Sequence, residues 1–74
     1  MNRTDQQKVL DAGFIIIRPR DISPISRQDL RGHEIWARTH ERSTWFKYAG
    51  PFPTKTERDR FKKNLLKRLE VIED

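Results

Sequence analysis

Residues 33–49 read "HEIWARTHERSTWFKYA". On either side of His40-Glu41-Arg42-Ser43 lies a run of aromatic and β-branched residues that alternates with polar ones, the mark of two strands around a turn. The pattern predicts strands over 33–39 and 44–49. Any register that keeps side-chain parity puts Ile35, Ala37, Phe46 and Tyr48 on one face and Trp36, Arg38, Trp45 and Lys47 on the other. A strand upstream, Phe14–Arg18, is apolar on both sides, with Phe14 and Ile16 against Ile15 and Ile17, and Pro19 is expected to stop it.

Helices are expected at both ends. Thr4-Asp5-Gln6-Gln7 and Thr54-Lys55-Thr56-Glu57 have the form of capping boxes. The first predicts a helix over 4–12, closed by Gly13. The second predicts one from about Lys55 to about Leu69 or beyond, with Phe61, Leu65, Leu69 and Ile72 on one stripe and Arg60, Lys63 and Lys67 on the opposite side. The expected fold is α+β in the order α-β-β-β-α, with a three-stranded antiparallel sheet. Its core is Leu10, Ile16, Ile35, Phe46, Phe61, Leu65 and Leu69. Either the helices sandwich this sheet, or they share one face and leave two tryptophans among bases in the open.

At 74 residues the chain makes one small domain, 1–74, of marginal stability. It has no cysteine, which excludes disulfides and thiolate metal sites and fits a reducing, cytoplasmic setting. The longest apolar run is Phe14–Ile17, far short of a membrane span, and the polar N-terminus reads as carrying no signal peptide. His33 and His40 are seven apart with no motif of a metal or nucleophilic site around them, so no cofactor, no metal and no catalysis are expected.

Charge is unevenly spread. Sixteen lysines and arginines against eleven acids give a net +5. Residues 1–17 are neutral, 18–48 carry +3, 49–68 carry +5, and 69–74 carry −3. A basic, proline-containing loop is expected at 19–32, with Ser26–Gly32 able to form one helical turn, and an acidic tail at 70–74. The field is the usual footprint of a polyanion-binding surface. The helix column of Arg60, Lys63 and Lys67 is either the solvated side of an amphipathic helix or a set of phosphate contacts. The tryptophans are either core or, set among arginine and lysine, suited to base stacking with phosphate neutralisation.

The expected nucleic-acid-binding residues are Arg18, Arg20, Arg27 and Arg31 of the loop region, Trp36, Arg38, Trp45 and Lys47 of the hairpin, and Arg60, Lys63 and Lys67. Arg58, on the apolar side of the helix, is expected to lay its stem over the sheet with its charge in water. The leading expectation is a small, non-catalytic nucleic-acid-binding module, for DNA rather than RNA. The alternative is a protein-interaction accessory or inhibitor protein, taking an acidic protein partner or pairing as a homodimer.

Residues 36–66, "WARTHERSTWFKYAGPFPTKTERDRFKKNLL", resemble the end of the arm-type DNA-binding domains of phage and transposon tyrosine recombinases. Those domains carry tryptophan-rich basic strands, then an aromatic and a Thr-Lys-x-(Glu/Ala) helix start, here Phe52-Pro53-Thr54-Lys55-Thr56-Glu57. The resemblance implies a three-stranded sheet entering the DNA major groove through Trp36, Arg38, Trp45 and Lys47, with the helix behind it. The N-terminal helix departs from that pattern. The α-β-β-β-α order is instead similar to a double-stranded-RNA-binding domain, although Lys55-Thr56-Glu57-Arg58 stands where such a domain opens its last helix with a lysine cluster. The whole chain also resembles short basic proteins of bacterial genomes and mobile elements.

Overall fold

A computed structural model describes residues 1–22, 32–42 and 44–74. The elements run α1 (Arg3–Asp11), β1 (Ile15–Ile22), β2 (Gly32–Arg38), β3 (Phe46–Phe52), α2 (Lys55–Leu65) and β4 (Val71–Glu73). The fold is α+β. Its sheet is four-stranded and mixed, in the order β3-β2-β1-β4. The antiparallel meander β1-β2-β3 matches the expected three strands, and β4 is added beside β1 in parallel.

That addition corrects the reading of the C-terminus. The apolar stripe of α2 was expected to continue through Leu69 and Ile72, but the helix closes at Leu66, and tight turns carry the chain round to residue 70. Val71 and Ile72 then pair with Ile15 and Ile16, and the Ile15 amide donates to the Glu70 carbonyl. Leu69 is left 91% exposed and Phe61 39%, so neither belongs to the core. Phe61 instead rests its ring 5.2 Å from that of Phe52. The acidic tail is thus partly an edge strand.

β1 is also longer than expected, running through Pro19 to Ile22, so the segment 19–22 is strand rather than loop. Proline lacks the ladder donor and survives at sheet edges. β4 reaches only as far as Ile17, so β1 is an edge strand by the time it reaches Pro19. Residues 23–31, with Arg27, Arg31 and most of the expected helical turn, lie outside the described residues.

The hairpin forms with two irregularities, one between His33 and Ile35 and one between Ile35 and Trp36. Trp36 faces Lys47 and Ala37 faces Phe46, whereas Ile35 faces Ala49, so β3 spends one extra residue, Tyr48, between two pairs. A bulge of this kind breaks the parity on which the face assignment rested. Ala49 takes the place opposite Ile35, and Tyr48 is 38% exposed. β3 then continues through Gly50-Pro51 to Phe52, past the expected strand end at residue 49. Gly50 has φ +108°, a conformation that side chains with a Cβ rarely adopt, and a Cβ there would sit 3.1 Å from the His33 carbonyl oxygen.

The two helices lie on opposite faces of the sheet. α2 covers Ile17, Ile35 and Ala37, with Leu65 and Val71 closing that cluster. α1 covers the other face at one end, where Leu10 and Ile16 are buried and Gln6 accepts a hydrogen bond from Arg38 Nη1. Its N-cap is Asn2, whose side chain accepts from the Asp5 amide at 2.8 Å, so α1 starts ahead of the expected Thr4 box. α2 does begin on its predicted cap, Thr54 Oγ1 accepting from the Glu57 amide.

Truncating the two apolar positions separates core from surface. Ile17→Ala should cost about 2–5 kcal/mol of unfolding free energy, as for a fully buried isoleucine. Leu69→Ala should stay within about 0.5 kcal/mol. Urea midpoints of the two variants measure the contrast, and equal losses would contradict this packing.

Candidate functional site

The α1 face of the sheet is only part covered. Strand periodicity sets Ile16, Arg18 and Arg20 of β1 and Glu34, Trp36 and Arg38 of β2 on that face, with cross-strand pairs Ile16–Arg38, Arg18–Trp36 and Arg20–Glu34. α1 takes the Ile16–Arg38 end. Beyond it the surface is open, and two tryptophans lie there half-buried. The Arg18 guanidinium sits over the Trp45 ring at 4.2 Å from its centroid, and the Arg20 guanidinium sits over the Trp36 ring at 4.3 Å. Such stacking at accessible sites contributes about 0.5–1 kcal/mol each.

Glu34 organises this surface from below. It is 4% exposed, accepts from Trp36 Nε1 at 2.8 Å through Oε1, and lies 3.9 Å from Lys47 Nζ through Oε2. Sequence reading passed over Glu34, although its place two residues before Trp36 on one strand predicts this contact. Arg18 also lies 4.0 Å from Asp74, which offsets part of its charge. A third stack, Arg42 over Phe46 at 4.4 Å, joins the turn to the start of β3 and was likewise not expected.

Of the expected binding residues, five come together on this face: Arg18, Arg20, Trp36, Trp45 and Lys47. Arg38 shares the face but is 7% exposed beneath α1, where its Nη1 serves Gln6. Arg60 and Lys63 are exposed on the outer side of α2, and Lys67 is exposed just past its end. Because α2 packs on the other face of the sheet, that column and the tryptophans occupy opposite sides of the molecule. Arg27 and Arg31 fall outside the described residues.

Arg58 departs from expectation. It is 6% exposed, with Nε donating to Asp59 Oδ1 at 3.1 Å and Nη1 donating to Asp21 Oδ1. Asp21, near the end of β1, also accepts from His33 Nδ1 at 2.8 Å and lies 3.7 Å from Lys55 Nζ. This knot ties β1 and β2 to the first turn of α2, and so pins the helix behind the open face. The guanidinium is buried because carboxylates meet it there, which hydropathy alone does not reveal.

No protein-family model, curated protein or solved structure matches this chain.

The knot makes stability depend on acid. The His33 hydrogen bond above all, opposed by desolvation and aided by the Arg58 and Lys55 charges, holds the Asp21 carboxyl below its ordinary value of 3.8. A carboxyl depressed by folding stabilises the fold above its unfolded value, and that stabilisation is lost as pH falls through the depressed one. Asp21→Asn should therefore be destabilising at pH 7, with the gap from the native chain closing below pH 3.8. Urea unfolding across that range measures it, and a gap independent of pH would contradict the assignment.

Proposed function

We propose that the chain is a non-catalytic DNA-binding module that receives nucleic acid on the open half of its sheet, on the α1 side. The observation that carries this reading is the pair of tryptophans lying in the open under arginine guanidiniums, with Lys47 beside them. Aromatic rings on an accessible surface stack with bases, and arginines beside them neutralise phosphates. Arg18, Arg20 and Lys47 take the phosphates, and Trp36 and Trp45 take bases or sugars. DNA is favoured over RNA by the likeness to recombinase arm domains and by the missing lysine cluster at the start of α2. The lack of cysteine fits a cytoplasmic setting.

The positions of the basic residues refine the expectation for α2. Arg60, Lys63 and Lys67 face away from the tryptophans, so their charge adds no contact to a strand lying on the sheet. Mobility-shift titrations of single-stranded DNA, duplex DNA and duplex RNA at two salt concentrations test the reading. Trp36→Ala should weaken DNA binding by about 1–3 kcal/mol. Arg18→Ala and Arg20→Ala should each flatten the log–log salt slope on duplex DNA by about 0.9. Lys63→Ala with Lys67→Ala should change affinity about twofold at most, as for distant exposed charges. Failure to bind any of the three nucleic acids at low salt would sink the proposal.

Pairing of two copies is the second reading. Leu69, 91% exposed, shares a shallow apolar cleft with Phe14, Ala12 and Gly13. Light scattering that gives twice 8.9 kDa for the native chain and 8.9 kDa for Leu69→Asp would favour it. A single mass for both would count against it.

A further inference from the structure

α1 and the segment leading into β3 border a cleft of about 550 Å³, lined by Arg3, Thr4, Gln7, Lys8 and Asp11 of α1, by Arg38 of β2 and by Thr44. Arg38 and Trp36 are two apart on β2, so the cleft opens on the tryptophan side of the sheet, and Thr44 directly precedes Trp45. Arg38 is 7% exposed while Arg3 and Lys8 are exposed, which makes Arg38 the floor and the other two the rim. Among the described residues none of these three cations has a carboxylate within ion-pair distance. Asp11, the acid on the rim, accepts from the neighbouring rim residue Gln7 through Nε2 at 2.8 Å and lies 3.6 Å from His40 Nδ1, so its charge is partly met without the three cations.

One detail of Arg38 points to a ligand. Its Nη1 donates to Gln6, but its buried Nε has no acceptor among the described residues. Buried donors in folded proteins are nearly always met, and one left over calls for a partner. The Nε–Nη2 edge of a guanidinium is a planar fork that matches two oxygens of one oxyanion. We propose that this cleft binds a single phosphate group, Arg38 gripping two of its oxygens from the floor, Arg3 and Lys8 closing over it, and the Thr4 and Thr44 hydroxyls donating from the sides. It deepens the DNA reading, on which it rests for the identity of the ligand: the phosphate is the backbone phosphodiester next to the base stacked at Trp45.

Titration of the ¹⁵N-labelled full chain with inorganic phosphate, and separately with a thymidine dinucleotide, at constant ionic strength made up with sodium chloride, tests the site. The Arg38 Nε–H resonance and the Thr4 and Thr44 amides should shift saturably. Arg3→Ala and Lys8→Ala, both exposed and so harmless to the fold, should each weaken that binding about two- to fivefold. Saturation by the dinucleotide at lower concentration than by inorganic phosphate supports the site with a phosphodiester as its ligand. Saturation by inorganic phosphate alone supports the site with a free phosphate as its ligand, and holds even where DNA fails to bind. Shifts that do not saturate, or that sodium chloride reproduces, overturn the site, and they leave DNA binding through the tryptophans standing if the mobility shifts persist.

Discussion

Ile16 and Ile17 are neighbours in one strand and both are fully buried. Successive side chains of a strand point to opposite faces, so this pair obliges the chain to cover both sides of its sheet. Everything else in the architecture follows from how it does so. α2 lies over Ile17 and the matching residues of β2, where β3 and β4 lend Ala49 and Val71 to the same cluster. The Ile16 side is left to α1, which has only nine residues. Nine helical residues span roughly 14 Å, whereas the eight of β1 span roughly 26 Å. The cover runs out about halfway along the strand. Past that point the sequence changes from isoleucine to arginine on the same face, and the tryptophans of the hairpin lie under those arginines.

An uncovered sheet carrying two tryptophans invites non-specific association. The guanidiniums of Arg18 and Arg20 lie over the rings and blunt that tendency, while Glu34 holds Trp36 by its Nε1. The same arrangement leaves the rings available. An accessible cation–π contact contributes about 0.5–1 kcal/mol, whereas a base stacked on an aromatic ring contributes about 1–3 kcal/mol. Under the proposed DNA reading, a base would displace an arginine from its ring with a net gain, and the freed guanidinium would meet the phosphate that arrives with the base. The guanidiniums are weakly held covers by their energetics, and beneath them Glu34 bonds Trp36 and lies near Lys47.

The hairpin, the opposite faces of Ile35 and Trp36, and the Thr54 cap were legible because each rests on a local rule: period two, parity, and a hydroxyl three residues from an acid. The errors have equally local causes. Pro19 read as a stop because an isolated sequence does not say which edge of β1 is unpaired. Leu69 read as core because the helical stripe was extended past Leu66, where nothing in composition announces the turn. The short Val71–Glu73 strand is too brief for any period to declare itself, and it exists only because β1 offers an open parallel edge at Ile15–Ile17. Tyr48 lost its predicted place in the pairing, opposite neither Ile35 nor Trp36, because a bulge is a property of pairing between strands. Arg38 and Arg58 were read by their charge as exposed, yet each is buried against a group from a distant part of the chain, Gln6 and Asp21.

The net charge of +5 suggests one electropositive surface, and the fold divides it. Lys62 and Arg68 are paired with Glu73 and Glu70, which removes part of the excess on the 49–68 segment. What remains there, Arg60, Lys63 and Lys67, faces away from Arg18, Arg20 and Lys47. The thinnest extent of the molecule is 18 Å. At physiological ionic strength charges are screened over about 8 Å, so the two basic surfaces act almost independently on anything that approaches. Under the proposed reading, a strand on the sheet would be held by the three cations beside the tryptophans and by those of the α1 cleft, while the α2 column would contribute to approach only at low salt. The count of basic residues in the sequence is therefore a poor guide to affinity. For the proposed ligand the number that matters is the smaller set that shares one face with Trp36 and Trp45, because only those charges and those rings could touch one strand at once.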